Sequence, residues 1–370
     1  MALKILHTAD LHLGLKFAGY PDVQTELSAA RFDALERLVD HGNSNNCDLF
    51  VLAGDIFDRV SIAQKDIKKC VEILNKFDGL TIVLPGNHDY ISSQRDLWKH
   101  FVEQVGDRVC VLEKKEPVSL HHYDLNVMLY PGPCTAKHSS ENAVDWIKSI
   151  TKNQDVTYHI GIAHGNIEGL GIDEGHNYYP MTRTELLECK LDLWLLGHIH
   201  VPFPAADTSN ERIYYSGTPE PDGFDCSHEG YAWVIELDEN KKISANRIAT
   251  GKYVFTHHEI ELRTAADLAQ FEKKYTETDY TNTLVKLRLT GRLPKDSYAQ
   301  LDVVKKVIDE HVFFLQWDDR DVALEITPDL IDREFTQGSF PYRLLTELAS
   351  NGEDMEALQI GYEMIREVKK

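Results

Sequence analysis

The segment from residue 48 to residue 58 reads Asp48-Leu-Phe-Val-Leu-Ala-Gly54-Asp55-Ile-Phe-Asp58. A short apolar run that ends in glycine and an acidic residue is typical of a buried strand followed by a sharp turn. Open α/β sheets place their ligand sites at the carboxyl ends of such strands. The segment therefore predicts an α/β fold in which Asp55 belongs to a polar site.

Four more polar clusters follow apolar runs in the same manner. They are Asp10-Leu-His12, Gly86-Asn87-His88-Asp89, His164-Gly165 and Gly197-His198-Ile-His200. Because residues i and i+2 of an extended chain point to the same side, we expect Asp10 and His12 to reach one ion. His198 and His200 have the same spacing. Each cluster alone is equally typical of a turn or of surface histidines, but the ordered set indicates one site.

The side chains in these clusters are of the types that bind a pair of divalent metal ions. Two ions about 3.5–4 Å apart can act on both the attacking and the leaving oxygen of an in-line displacement at phosphorus. A carboxylate can bridge such a pair through its two oxygens, and Asp55 is the expected bridge. Nitrogen and oxygen ligands without a thiolate suit manganese, iron or zinc better than calcium. The predicted metal ligands are Asp10, His12, Asp55, Asn87, His164, His198 and His200.

Apolar periodicity predicts alternating strands and helices over residues 3–237, with one of the helices at 141–152. From residue 253 the pattern changes to a small β-α-β-α-β unit, and the residues from 327 onward form amphipathic helices. We therefore expect three domains, at 1–252, 253–326 and 327–370.

These motifs resemble those of the calcineurin-like metallophosphoesterases, and among them the SbcD-type (YhaO-like) DNA repair exonuclease subunits. The resemblance rests on Ile5-Leu-His-Thr-Ala-Asp-Leu-His-Leu-Gly14, on residues 51–58 and on Tyr215-Ser-Gly-Thr-Pro-Glu220, and it covers residues 1–255. It implies a four-layer α/β/β/α sandwich that acts as the nuclease domain. It further implies a small α+β capping domain that limits access to duplex DNA, although a purely structural addition is an open alternative, and a helical C-terminal segment that binds a partner.

The resemblance also implies a role for each site residue. Two divalent ions are the implied cofactor, Mn²⁺ first, with Mg²⁺, Fe²⁺ or Zn²⁺ as alternatives. His88 is implied to act at the phosphate, and Asp89 to orient His88, as carboxylates do for other imidazoles. Asp58 is either a turn or N-cap residue or a support for the site, and both interpretations stay open. The implied ligands are Asp10, His12, Asp55 and His200 for the first ion, and Asp55, Asn87, His164 and His198 for the second.

A glycine-rich stretch at 165–175 follows one of the predicted ligands. It lacks a nucleotide-binding fingerprint and a following helix, so we interpret it as a mobile wall of the active site. His176, Tyr178 and Tyr179 lie just beyond it, where they could contact substrate or simply pack at the surface.

The formal net charge of −21 is unusual for a protein that binds DNA, because phosphate contacts normally come from lysine and arginine. Bound metal ions and a local basic patch, such as Lys16, Arg59 and Arg95, would offset it. The acidity favours either an enzyme whose DNA is delivered by a partner or one that acts on a small substrate. By resemblance, that partner is an SMC-like (SbcC-type) ATPase bound by the C-terminal helices, and the nuclease is a homodimer. The apolar faces of these helices could instead pack on the capping domain.

The rest of the sequence predicts a cytoplasmic protein without a membrane segment. The chain enters its first strand without a secretory signal, and no apolar run reaches the roughly 18–20 residues of a membrane helix. Six cysteines are spread singly, as in reduced intracellular proteins. Three functions are thus open. They are a Mn²⁺-dependent DNA nuclease, a phosphodiesterase or phosphatase for small nucleotide-type substrates, and a non-catalytic scaffold, which the complete ligand set disfavours.

Overall fold

The computed structural model describes residues 2–94, 96–170, 175–226, 228–350 and 355–369. The chain divides into two compact units, Met1–Val254 and Phe255–Lys370. No helix among the described residues combines the length and the apolar character that crossing a bilayer requires.

The first unit is built on two sheets. The seven-stranded sheet has the order β4-β3-β2-β1-β11-β12-β9, and the five-stranded sheet has the order β10-β8-β7-β6-β5. Neighbours among β1 to β4 pair in parallel, as do those among β6, β7, β8 and β10. The strands are β1 Leu3–Thr8, β2 Leu49–Ala53, β3 Leu80–Leu84, β4 Val109–Val111, β5 Val118–Ser119, β6 Val127–Gly132, β7 Tyr158–His164, β8 Leu193–Gly197, β9 Thr208–Ser209, β10 Ile213–Tyr215, β11 Tyr231–Leu237 and β12 Ile243–Ala249.

Helices cover the outer faces of both sheets. Val51 and Leu195 belong to the core between the sheets, whereas Leu35 packs on the other face of the seven-stranded sheet. Trp194 and Leu186 form the core on the outer face of the five-stranded sheet. The predicted four-layer α/β/β/α sandwich is therefore confirmed. The helices are α1 Gln24–Ser44, α2 Gln64–Leu74, α3 Leu97–Val102 and α4 Arg183–Glu188, with 3₁₀ helices at His121–Tyr123 and Asp145–Ser149.

The helix predicted at 141–152 is wrong for most of its length. Only Asp145–Ser149 is helical, and it is a 3₁₀ helix. The side-chain oxygen of Asn142 accepts a hydrogen bond from the backbone N–H of Val144 at 2.9 Å. Such local bonds from asparagine compete with helical hydrogen bonds, so the chain turns here instead.

The second unit contains a three-stranded sheet in the order β13-β14-β15. Leu268 and Phe271 of one helix and Val304 of another form a core with Val285 and Leu287 of the central strand. The β-α-β-α-β pattern predicted from residue 253 is present. The elements are β13 Val254–Leu262, α5 Ala265–Thr276, β14 Tyr280–Leu293, α6 Lys295–Tyr298, α7 Leu301–Asp309, β15 Val312–Leu324, α8 Pro328–Glu334, α9 Phe340–Ser350 and α10 Met355–Lys369.

The last three helices have a small core of their own. Leu330, Leu345, Leu358 and Tyr362 pack together with Leu324, at the end of β15. The structure thus groups the capping segment and the helical tail in one compact unit. A functional division at residue 326 stays a prediction.

Candidate metal centre

All five polar clusters directly follow or close a strand of the first unit. Strands β1, β2 and β3 end at Thr8, Ala53 and Leu84, and β7 and β8 end at His164 and Gly197. Parallel strands that start on one side bring their carboxyl ends to one edge. The structure therefore brings all seven predicted ligands together, and it does so by strand topology rather than by sequence proximity.

Asp55 lies between the two groups of candidate ligands. Its Oδ2 atom is 3.2 Å from His164 Nε2 and 3.9 Å from His12 Nε2. On one side, His12 Nε2 faces His200 Nε2 at 3.3 Å, and ligand atoms of these two residues and Asp10 all lie within 4.8 Å of one another. This arrangement agrees with a carboxylate that two ions share.

The second group forms around Asn87. Its Oδ1 atom is 2.9 Å from His164 Nε2 and 3.1 Å from His198 Nδ1. Metal bonds of about 2.0–2.2 Å place neighbouring ligand atoms about 3.0 Å apart in octahedral and about 3.4 Å apart in tetrahedral coordination. The nitrogen and oxygen donors therefore have both the chemistry and the spacing that a divalent ion requires.

Two of the imidazoles are oriented by groups behind them. His164 Nδ1 lies 2.9 Å from the carbonyl oxygen of Ala53, and His200 Nδ1 lies 3.4 Å from Asp222 Oδ2. A ring whose Nδ1–H donates to an oxygen directs the lone pair of Nε2 to the other side, where a metal can bind. Asp222 was not identified from the sequence.

The site has a buried floor and an accessible rim. Asp10, His164 and Asp55 are no more than 2% exposed. His88, His198 and His200 are half-buried at the edge. A substrate can therefore reach the site from the histidine side.

Burial and charge set the acidity of these groups. Burial raises the pKa of Asp10 to about 6, although His164 and His200 oppose the shift. Burial acts in the same direction on Asp55, but His164 and His12 outweigh it and hold the pKa of Asp55 below its ordinary value. Burial lowers the pKa of His12 well below its ordinary value, whereas nearby carboxylates outweigh burial and raise the pKa of His164 and of His200 to about 9. Metal binding would require the neutral form of each ring.

Four of the seven predicted ligands have a left-handed backbone, and the extended geometry expected for the Asp10–His12 and His198–His200 pairs is wrong. Asp10 and His12 have φ angles of 56° and 43°, because β1 already ends at Thr8. Asp55 and His198 have φ angles of 52° and 101°. Left-handed conformations of non-glycine residues cost on the order of 1–3 kcal/mol each and persist where the surroundings impose them. The pairs converge through strained loops, not through strand alternation.

Gly54 is required where β2 turns into the site. Its φ is +98°, and a Cβ atom there would lie 2.1 Å from His164 Nδ1. We expect Gly54→Ala to destabilise the metal-free protein by at least about 2 kcal/mol, since left-handed backbone alone costs an L-residue roughly 1–2 kcal/mol and the clash adds to it. The measurement is the urea midpoint of unfolding. Gly19→Ala is the control, because nothing lies within 4 Å of its Cβ position; an equal shift in both variants would contradict the explanation.

His88 is oriented by Asp58 and not, as expected, by Asp89. The Nδ1 atom of His88 lies 3.0 Å from the carbonyl oxygen of Asp58, and its backbone N–H donates to Asp55 Oδ1 at 2.8 Å. The Asp89 carboxylate instead accepts hydrogen bonds from the backbone N–H groups of Phe57 and Gly86 at 3.0 and 2.7 Å. Asp89 therefore joins the loops after β2 and β3, while Asp58 supports His88 through its main chain.

Sequence comparison places this site in a known family. The sequence model of the calcineurin-like phosphoesterases matches residues 3–202. The chain belongs to this family. Membership confirms the resemblance inferred from the motifs and makes the chain a metallophosphoesterase, a hydrolase of a class with a two-metal site.

This metallophosphoesterase spans about half, or somewhat more, of the length of the curated relatives that it matches. The chain is 28% identical over 209 residues to "Uncharacterized metallophosphoesterase YhaO" of Bacillus subtilis (strain 168), covering 54% of the chain and 48% of the relative. It is 26% identical over 231 residues to the DNA double-strand break repair protein Mre11 of Archaeoglobus fulgidus, covering 59% and 50%. It is 23% identical over 269 residues to the SbcD component of the SbcCD nuclease of Staphylococcus epidermidis, covering 65% and 68%.

The residues that follow His164-Gly165 have mixed roles in this metallophosphoesterase. Tyr178 lies beside the site, with its ring centroid 4.9 Å from that of His198. Tyr179 is 2% exposed, and its hydroxyl accepts hydrogen bonds from the backbone of residues 135 and 136, so it packs. His176 is exposed and lies 3.5 Å from the carboxylate of Glu168. Part of the glycine-rich stretch, residues 171–174, lies outside the described residues, and its mobility stays a prediction.

The structure describes the suggested basic patch only in part. Lys16 is exposed, but Arg59 Nε donates to the neighbouring Asp58 carboxylate at 2.8 Å. Arg95 lies outside the described residues. A paired arginine contributes less to phosphate binding than a free one.

Arg31 is a further residue that sequence reasoning missed. It is completely buried in α1, where it contacts the loop that carries Asp10 and also the carboxylate of Asp222. The predicted apolar stripe of this helix includes Leu27 and Leu35. Arg31 lies midway between them at four-residue spacing, so a charged residue on a buried stripe was the available signal.

Proposed function

We propose that this chain is a metal-dependent DNA nuclease that hydrolyses phosphodiester bonds, as an exonuclease or endonuclease, in DNA repair or in defence against foreign DNA. The observation that carries the proposal is the convergence of six ligand-type side chains, from the ends of five strands, around Asp55. The named activities of two relatives, the Mre11 protein and the SbcCD nuclease, support DNA as the substrate.

In this proposal each ion has its own ligand group and Asp55 is shared. When bound, the ions supply Lewis acidity at the phosphate and lower the pKa of water. Ala53 O and Asp222 hold the imidazoles of His164 and His200, and Asp10 accepts the backbone N–H of His198 at 3.0 Å. Mn²⁺ is the proposed metal. Asp10, His12, Asp55 and His200 would hold the first ion, and Asp55, Asn87, His164 and His198 would hold the second.

His88 is the proposed catalytic residue. Its Nδ1–H donates to Asp58 O, which leaves Nε2 as the nitrogen that can hydrogen-bond to the phosphate or protonate the leaving oxygen. Asp89 acts through the loop geometry that holds Gly86 against Phe57. Asp89 is thus a positioning residue.

Metal dependence and substrate class are tested together. We expect chelator-treated protein to be inactive and Mn²⁺ to restore hydrolysis of single-stranded DNA, double-stranded DNA or both, together with bis(4-nitrophenyl) phosphate. A nucleotide monophosphate is the comparison substrate. Activity on the monophosphate alone would contradict the nuclease and support a phosphatase for small nucleotide-type substrates.

The small-substrate alternative has one observation in its favour. The net charge of −21 is unusual for a protein that contacts a duplex directly, and Arg59 is paired with the carboxylate of Asp58. A partner that brings the DNA would remove this difficulty.

We further propose that α10 contributes to binding an SMC-like (SbcC-type) ATPase. Ile360, Met364 and Val368 are 50%, 64% and 88% exposed, and their four-residue spacing places them on one face of this helix. Leu358 and Tyr362, on another face, are buried in the core of the tail. Helices with an exposed apolar stripe bind partner grooves in this way.

A charge on this stripe tests the partner. We expect Met364→Glu to weaken binding of the ATPase at least about 10-fold, because burying a carboxylate in an apolar contact is costly. Hydrolysis of bis(4-nitrophenyl) phosphate should be unchanged. The measurement is a pull-down from purified components. Glu363→Gln, at the adjacent exposed position, is the control. Retained binding by Met364→Glu would contradict the proposed role of this surface.

A homodimer and a cytoplasmic location remain predictions.

A further inference from the structure

Arg31 is a buried cation with an unusually complete set of acceptors. Its Nε donates to Leu11 O at 2.5 Å, one terminal nitrogen to Glu220 O at 3.0 Å, and the other to Asp10 O at 3.3 Å. A buried guanidinium is costly unless its N–H groups are satisfied. Here every nitrogen has a carbonyl acceptor, so the site around Arg31 is built for arginine.

The acceptors belong to two loops that meet at the metal site. One loop carries Asp10 and His12. The other runs from Thr218 to Asp222, whose Oδ2 lies 3.6 Å from Arg31 and 3.4 Å from Nδ1 of His200. A single side chain in α1 therefore contacts both the loop that bears two predicted ligands and the carboxylate that faces a third.

The hydroxyl of Thr218 makes the connection tighter. Its Oγ1 atom lies 2.9 Å from Asp10 O and 3.4 Å from the nearer nitrogen of Arg31. The carbonyls of Asp10 and Leu11 are thus both held by hydrogen bonds from Arg31, and Thr218 Oγ1 also lies beside that of Asp10. These bonds act where the backbone is left-handed, at Asp10 and His12, a conformation that persists only where its surroundings impose it.

Arg31 does this without competing for the metal. Its polar contacts are main-chain carbonyls, Thr218 and Asp222, its guanidinium lies over the ring of Phe17, and no contact between Arg31 and the Asp55 carboxylate is present among the described residues. A lysine could keep the charge, but its single nitrogen cannot hold both loops in one planar array of donors.

We propose that Arg31 is a positioning residue for the metal centre, acting through Asp222 on His200 and through the carbonyls of Asp10 and Leu11 on the loop that ends at His12. The inference rests on the proposed metal site and deepens it. It places control of the His12–His200 side of that site in helix α1.

Calorimetric titration of the full chain with Mn²⁺ tests the inference without using activity. We expect Arg31→Lys and Asp222→Asn each to lower the affinity for one of the two Mn²⁺ ions about 10–100-fold, as the loss of groups that support metal ligands does. The loss in the double variant should be smaller than the sum of the two single losses, because Arg31 and Asp222 share the route to His200. Thermal unfolding of the metal-free variants shows whether the fold is kept.

Arg37→Lys is the matched control. Arg37 lies on the same helix and bonds to Thr250 O at 2.6 Å and to the Glu220 carboxylate at 3.4 Å. We expect it to bind both ions as the wild type does. Wild-type affinity in Arg31→Lys, an equal loss in Arg31→Lys and Arg37→Lys, or additive losses in the double variant would overturn the inference.

Two further outcomes are also decisive. If Arg31→Lys fails to fold, the partly exposed Asp222 carries the test, and unchanged Mn²⁺ binding by Asp222→Asn overturns the inference. A wild-type chain that binds no Mn²⁺ would overturn the proposed function and this inference together, whereas wild-type binding by Arg31→Lys overturns the inference alone.

Discussion

Asp55→Asn is expected to reduce hydrolysis of bis(4-nitrophenyl) phosphate on the order of 10³-fold or more, because the two-metal contribution to such reactions is worth several kcal/mol. Asp55 Oδ2 lies within 3.2 Å of His164 Nε2 and 3.9 Å of His12 Nε2, while Oδ1 accepts the N–H of His88. An amide offers one neutral oxygen in place of two that share a negative charge. Its neutral oxygen would hold two cations much less tightly than the carboxylate, so Mn²⁺ stoichiometry should fall together with turnover.

Asp48, at the opposite end of β2 from Asp55, provides a matched control. Asp48 precedes β2, and its carboxylate accepts the backbone N–H of Lys4 at 2.8 Å, away from the site. Asp48→Asn should keep both ions and nearly full turnover. If Asp55→Asn retained two Mn²⁺ ions and wild-type turnover, the shared carboxylate would have been assigned wrongly.

His88→Ala is expected to lose turnover by roughly 10²–10⁴-fold, the range for removal of a general acid or base, and still to bind two Mn²⁺ ions. The structure makes this a demanding test. A ring nitrogen of His88 lies within 4.8 Å of ligand atoms of His12 and Asp55, so geometry alone would also allow it as a ligand. Its Nδ1 contact with Asp58 O favours a role at the phosphate instead.

Metal titration beside the hydrolysis assay separates these two roles of His88. Loss of an ion in His88→Ala would show that His88 is a ligand. His176→Ala is the control, since this exposed histidine lies beside the carboxylate of Glu168 and should change neither turnover nor Mn²⁺ binding. A leaving group of low pKa, such as 4-nitrophenolate, needs little protonation. The loss on DNA should therefore exceed the loss on the nitrophenyl diester if His88 is a general acid.

The strands that carry the site could be predicted from sequence, because the signal is local. Each is a short apolar run buried on both faces, as parallel strands between helices and a second sheet must be. The residue types that end these runs, carboxylate, amide and imidazole, then define the chemistry. The helix predicted at 141–152 failed for an equally local reason, since Asn142 bonds to the backbone of Val144.

The orientation of each site residue could not be predicted in this way. Asp89 follows His88 directly in sequence, yet its carboxylate is bound by amides from two loops. Asp10 and His12 have the spacing of a strand pair but a left-handed backbone. In both cases the surroundings that decide the geometry include other loops, distant in sequence, and a local sequence pattern holds no information about them.

The sequence by itself determined the α/β character, the order of the strands along the chain and the set of side chains available to the metals, since these depend on apolar periodicity and residue type. Only the tertiary structure decided which atoms meet. The distances around Asp55, the contact of Asp58 O with His88 and the burial of Arg31 between two loops all result from packing two sheets and a helix against one another. Long-range packing selects among partners that local sequence leaves equivalent. For that reason the candidate ligands could be named in advance, while the residues that orient them could not.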